Sequence, residues 1–115
     1  MRIAVDFDGT IVEHAYPKIG RPIEGAIESL LQLQSEGHQL ILWTYRTGEL
    51  LNDAVEYCRK NGIEFYAVNS DEPNEIWHPE SNRLIRADVF IDDRNIGGLL
   101  PWSEVSAIIK THQTS

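Results

Sequence analysis

The sequence predicts an α/β fold, a three-layer α/β/α sandwich around a mainly parallel, Rossmann-like sheet. Two observations carry that expectation. Short apolar runs with β-branched residues alternate with longer segments of helical periodicity. The strand-like runs are continuously apolar, as strands covered on both faces must be. With 115 residues, 42% of them hydrophobic, the chain can bury one core, so residues 1–115 are expected to form a single domain.

The elements follow in order. Residues 2–7 form an apolar, β-branched run that reads as a buried first strand, broken at Gly9. Residues 10–21 are irregular, punctuated by Pro17, Gly20 and Pro22. Pro22 suits a helix's first turn, and Ile23, Ala26, Ile27, Leu30, Leu31 and Leu33 recur at helical spacing up to a stop at Gly37. A second strand is expected over 39–44 and a helix over 48–61, ended by Gly62. A third strand is read at 63–68. The polar stretch 69–82, with Pro73 and Pro79, reads as a loop. A fourth strand covers 87–91 and runs into Asp92-Asp93. Gly97-Gly98 mark a turn before a last helix over 103–110, with 111–115 frayed.

Composition narrows the partners. A formal net charge of -8 disfavours nucleic acid, whose phosphate backbone calls for a basic surface. Cys58 is the only cysteine, which excludes an intrachain disulfide and a cysteine-based zinc site. It shares a helical pattern with Leu51, Ala54 and Val55 and reads as a packed core thiol. Neither a signal-type series nor an apolar stretch of membrane-spanning length is present, so a cytoplasmic protein with no membrane partner is expected.

In an open parallel sheet ligands bind at the carboxyl ends of the strands. Those ends read Asp6-Phe7-Asp8-Gly9-Thr10, Thr44-Tyr45-Arg46 and Asp92-Asp93-Arg94. Clustered carboxylates repel one another unless protons or a cation intervene, and a hard divalent ion such as magnesium fits an all-oxygen set. One carboxylate as nucleophile and a second for proton transfer suit phosphoryl transfer. The Thr44 hydroxyl and nearby backbone N–H groups could hold phosphoryl oxygens, and an arginine could offset developing charge. Gly9, Thr10, Tyr45 and Arg46 are therefore candidate substrate-binding residues. Local alternatives stay open: a turn-bonding hydroxyl for Thr44, a salt bridge from Asp93 to Arg94 or Arg46, and a surface ion pair for Arg46. His14, Tyr16, Trp77 and His78 lie in loops that could cover the site. Neither a calcium-binding loop nor a Gly-Lys-Ser/Thr phosphate loop can be read: Ile11 and Pro17 stand where the calcium loop needs glycine and glutamate.

A hydrophobic strand followed by Asp6-Phe7-Asp8-Gly9-Thr10 resembles the first motif of the haloacid dehalogenase-like superfamily. Leu42-Trp43-Thr44 resembles the second, and Val89-Phe90-Ile91-Asp92-Asp93 the fourth. The resemblance spans nearly the whole chain. It implies a magnesium-dependent phosphomonoester hydrolase in which Asp6 is the nucleophile, Asp8 the acid and base, and Thr44 the phosphoryl holder. Asp92, with Asp93, would bind Mg2+ together with the Asp6 carboxylate and the backbone carbonyl of Asp8. The family's third-motif lysine has no counterpart: Leu84 stands in its place, and Arg83 or Arg86 is the candidate substitute. The intervals between motifs leave no room for a cap domain. A capless site implies a large phosphorylated substrate, or a small one enclosed by a second subunit in a homo-oligomer. The other readings are a catalytically weak module that binds phosphoryl ligands through the retained metal site, and a phosphatase of nucleic-acid ends.

Overall fold

The computed structural model describes residues 1–69, 87–93 and 98–114, with backbone only for 112–114. Four strands, β1 (Arg2–Val5), β2 (Gln39–Leu42), β3 (Ala67–Val68) and β4 (Val89–Ile91), form one sheet in the order β3-β2-β1-β4. Every pairing is parallel. Three helices accompany them: α1 (Ala26–Ser35), α2 (Gly48–Lys60) and α3 (Trp102–Thr114). The α/β class and parallel sheet are those expected from the sequence.

Register brings the strand ends level. Val5 lies beside Leu42 on one side and Ile91 on the other, and Leu42 lies beside Val68. Residues that follow those four positions therefore emerge along one edge. The chain winds from β1 through β2 to β3, then reverses to lay β4 on the other flank of β1. The crevice between β1 and β4 is thus a topological switch point, where open α/β sheets accept ligands.

Alternation along the strands sorts the core. Ile3, Val5, Leu40 and Leu42 share a face and pack with Leu30 and Leu33 of α1, Ala54 and Cys58 of α2, and Trp102 and Ile109 of α3. Ala4, Ile41 and Ala67 point the other way into a smaller cluster with Trp43, Tyr66 and Ala87. Among the described residues all three helices serve the first face, and no helix adds to the second cluster. Cys58 is fully buried, and burial pushes its thiol up to about 12. No helix among the described residues is long and apolar enough to cross a membrane.

Several element boundaries differ from expectation: β1 ends at Val5 and β2 at Leu42, short of the expected 7 and 44, and four others shift as follows. Helix α1 starts at Ala26 rather than Pro22, because Pro22 pairs with Val12 in an antiparallel bridge and the Ile23 N–H donates to the Ile11 carbonyl at 2.9 Å. Gly25, at φ 82°, then turns the chain into the helix. Strand β3 keeps only two residues of ladder, and the apolar Ile63 is core without being strand. β4 begins at Val89, with the Asp88 carboxylate accepting the Arg2 N–H at 2.8 Å at the end remote from the strand C-termini. Helix α3 runs on to Thr114, past the expected end at 110.

Candidate active site

The first turn builds the site. After Val5 the chain leaves the sheet with the Asp6 N–H still bonded to the Ile91 carbonyl at 3.0 Å, which ties this segment to the end of β4. The Phe7 carbonyl accepts from the N–H groups of Thr10, Ile11 and Val12 at 3.2, 2.9 and 3.3 Å. That tight wrap buries Phe7, Thr10, Ile11 and Val12 while Asp6 and Asp8 stay part-exposed. Gly9 makes the wrap possible at φ 85°. A Cβ there would collide with the His14 imidazole and the Asp93 carboxylate.

Chain beyond the turn returns as a hairpin. Val12 bridges Pro22, and the Glu13 N–H donates to the Arg21 carbonyl at 2.8 Å, so residues 14–20 are carried out as a loop. That loop places His14 and Tyr16 on a cleft of about 480 Å³ lined also by Asp6, Asp8, Thr44, Tyr45, Arg46 and Asp93. A volume of this size is in the range of small-ligand sites.

Two acidic groupings separate within the cleft. Asp6, from the end of β1, and Asp92 and Asp93, from the end of β4, offer carboxylate oxygens within 4.8 Å of one another. Two oxygens on one magnesium stand at most about 4.2 Å apart and on one calcium about 5 Å, so small side-chain rotations close this set around a hard cation. Asp93 also meets His14, Nε2 to Oδ2 at 2.7 Å. Burial pushes the Asp93 carboxyl up. Hydrogen bonds with His14 and Asp92 outweigh it and hold the group below the usual carboxylate range.

Asp8 stands apart from that set. Its carboxylate takes a two-pronged grip from Arg46, Nε to Oδ2 at 2.8 Å and Nη2 to Oδ1 at 2.7 Å. The guanidinium holds the Asp8 side chain outside that acidic grouping; the ligand expected from Asp8 is its backbone carbonyl. The reading of Arg46 as a surface ion pair or a free substrate ligand changes. The residue is 1% exposed, and it also donates to the carbonyls of Pro17 (3.2 Å) and Lys18 (2.9 Å). The bond to Asp8 raises the Arg46 pKa against the lowering effect of burial.

The other expected site residues divide. Thr44 is buried at the cleft, and its Oγ1 accepts the Arg46 N–H at 3.1 Å, so it caps a local turn and lines the site at once. Tyr45 projects beside it, 64% exposed. Thr10 is corrected: with no exposed surface, its side chain cannot meet a substrate, and its carbonyl receives the Trp102 indole N–H at 3.1 Å. Gly9 serves by close approach to His14 and Asp93. Arg83, Arg86, Trp77, His78 and Arg94 lie outside the described residues. One contributor was not singled out from the sequence. Asn69, directly after β3 at φ 53°, is buried and receives the Thr44 N–H on Oδ1 at 2.8 Å. An asparagine placed at a strand end, tolerant of the left-handed region, was the available signal.

Gly9→Ala is expected to push the His14–Asp93 pair apart and to strain the turn. The loss should be about 1–2 kcal/mol in urea unfolding from backbone strain. Magnesium affinity, read by calorimetry, should fall as well.

Comparison with known proteins gives one informative match. No family model and no curated protein matches the chain. The solved structure of a conserved protein from Bacteroides thetaiotaomicron does match, at 55% identity over 97% of this chain and 91% of that one, with a TM-score of 0.89. The chain belongs to the same family as that conserved protein. At this identity and TM-score the two proteins share the fold. The name of that protein states no activity.

Proposed function

We propose that the chain is a magnesium-dependent phosphomonoester hydrolase of the haloacid dehalogenase-like type, working through an aspartyl-phosphate on Asp6. The observation that carries this reading is the meeting of Asp6 with Asp92 and Asp93 at the switch point. A carboxylate triad there, with a further carboxylate and a hydroxyl on the same cleft, is a donor set for a hard cation and a phosphoryl group. Bound there, magnesium would offset charge on the phosphoryl oxygens.

The residues divide the work as follows. An Asp6 oxygen attacks phosphorus and the ester P–O bond breaks. The departing oxygen takes a proton from Asp8 in its acid form, which requires one Asp8 oxygen to be released from the Arg46 fork, leaving an alcohol and the phosphorylated Asp6. Water then attacks the same phosphorus, Asp8 receives its proton, and the Asp6–phosphorus bond breaks to release phosphate. Thr44 and the backbone around it hold the phosphoryl oxygens. His14 steadies Asp93.

The test is turnover of an aryl phosphate followed by a panel of phosphomonoesters. Activity should require Mg2+, vanish with a chelator and return on adding the ion. Tight binding of a phosphoryl mimic with no turnover across the panel would replace the enzyme by a binding module. Neither binding nor turnover would end the phosphoryl reading.

A further inference from the structure

Arg46 is a heavily engaged polar side chain at the cleft. Its guanidinium is 1% exposed and donates hydrogen bonds to two different parts of the chain. Two bonds fix both oxygens of Asp8, and two hold the carbonyls of Pro17 and Lys18. The planar cation also packs between two rings, its Cζ 5.1 Å from the Phe7 centroid and 5.2 Å from that of Tyr16. Phe7 belongs to the turn that carries Asp6 and Asp8, and Tyr16 to the hairpin loop. Loop residues 13–18 are exposed, and besides this cation the loop is held to the body by the His14–Asp93 bond and by Ile19 against the core.

From this we infer that Arg46 is a positioning residue: it aims the Asp8 carboxylate and latches the 14–20 loop over the cleft, so that the two move together. The inference rests on the proposed hydrolase for its kinetic part only. A guanidinium presents donors in a fixed plane, and two of its edges are used here at once. An ammonium is a single point of charge that cannot span Asp8 and both carbonyls. The latch also explains why so large a cation is buried beside an acidic cleft without reaching the open solvent. Its charge is matched by Asp8, and its donors are matched by the loop backbone.

Loop latching and carboxylate aiming can be separated by experiment. Arg46→Lys keeps a positive charge in place and loses the planar fork; Asp8→Asn keeps the fork and loses the charge opposite. Brief trypsin digestion, followed by mass spectrometry, reads the loop through cleavage after Lys18. Cleavage after Lys60, at the end of α2, reads opening of the fold as a whole. Cleavage of a transiently opened loop follows the population of the open form, so loss of charge-assisted bonds should accelerate it about tenfold or more in Arg46→Lys. Asp8→Asn should accelerate it as well, because one pair of bonds on the latch is weakened. Cleavage after Lys60 should keep its wild-type rate in both.

In turnover of the aryl phosphate, Arg46→Lys should lower kcat about thirtyfold or more while KM moves less than about threefold, the pattern of a lost transition-state alignment. Unchanged Lys18 cleavage in both variants would overturn the latch. A rise in KM with kcat preserved would overturn the positioning role, since Arg46 would then be touching substrate. If the wild-type protein turns over nothing, the hydrolase reading falls, and the two Lys18 cleavage rates alone still decide whether Asp8 and the loop are joined through Arg46.

Discussion

Asp6→Asn is expected to remove turnover of every phosphomonoester the protein accepts, by about 10⁴-fold or more in kcat, as for other nucleophile deletions. The amide keeps the size and the polar contacts of the carboxyl and loses its nucleophilic charge. Three carboxylates crowd within 4.8 Å at this point, so removing one charge relieves repulsion in the metal-free protein. Thermal stability without the ion should therefore hold or rise, which separates a chemical defect from a folding one. Magnesium affinity should fall, because Asp6 belongs to the proposed ligand set. Asp92→Asn provides the contrast. It removes a proposed ligand and leaves the proposed nucleophile, so excess Mg2+ should restore much of its activity, whereas Asp6→Asn should stay inactive at any concentration. A phosphorylated enzyme trapped by acid quench in the wild type should be missing in Asp6→Asn. Retention of more than about 1% of activity by Asp6→Asn would assign the nucleophile elsewhere.

Local pattern reveals some of this protein and long-range return reveals the rest. Strands β1 and β2 and helix α2 were legible because apolar runs and a 3.6-residue period are properties of adjacent residues. The acidic triad was legible through topology: parallel strands deliver their C-terminal residues to one edge, so Asp6 and Asp92 had to be neighbours once β1 and β4 were. The grip of Arg46 on Asp8 was not legible. It depends on how far the turn after β1 rotates Asp8 away from Asp6, and on a hairpin whose pairing begins only at Val12 and Pro22. Pro22 misled for the same reason: a proline that suits a helix start also suits the edge of a two-residue bridge. Thr10 was read as a substrate ligand from its place beside Asp8, while the wrap around the Phe7 carbonyl turns it into the core. Sequence proximity to a cleft carboxylate says little about direction where the backbone reverses within three residues.

Trp102→Ala carries the largest expected effect on stability, and it reaches the site from the far end of the chain. Trp102 is 2% exposed at the start of α3 and packs in the main core cluster. Its Cβ lies 3.3 Å from the point a Cβ on Gly25 would occupy, so α3 starts hard against the turn that launches α1. Emptying a buried tryptophan site costs about 3–5 kcal/mol. The Thr10 carbonyl, which accepts the indole N–H at 3.1 Å, would also be left buried without that partner, adding about 1–3 kcal/mol. Against the roughly 5–15 kcal/mol that holds a domain together, the variant should be largely unfolded or melt on the order of 15 °C lower. Trp102→Phe separates the two contributions. It keeps an aromatic ring in the core while removing the N–H and part of the indole's volume, so it should fold, lose less than half as much in urea unfolding, and still loosen the Thr10 turn. Because that turn carries Asp8 toward Arg46, kcat on the aryl phosphate should drop in Trp102→Phe more than stability alone accounts for. Equal stability of Trp102→Ala and wild type would place the indole outside the core and break the link between α3 and the catalytic turn.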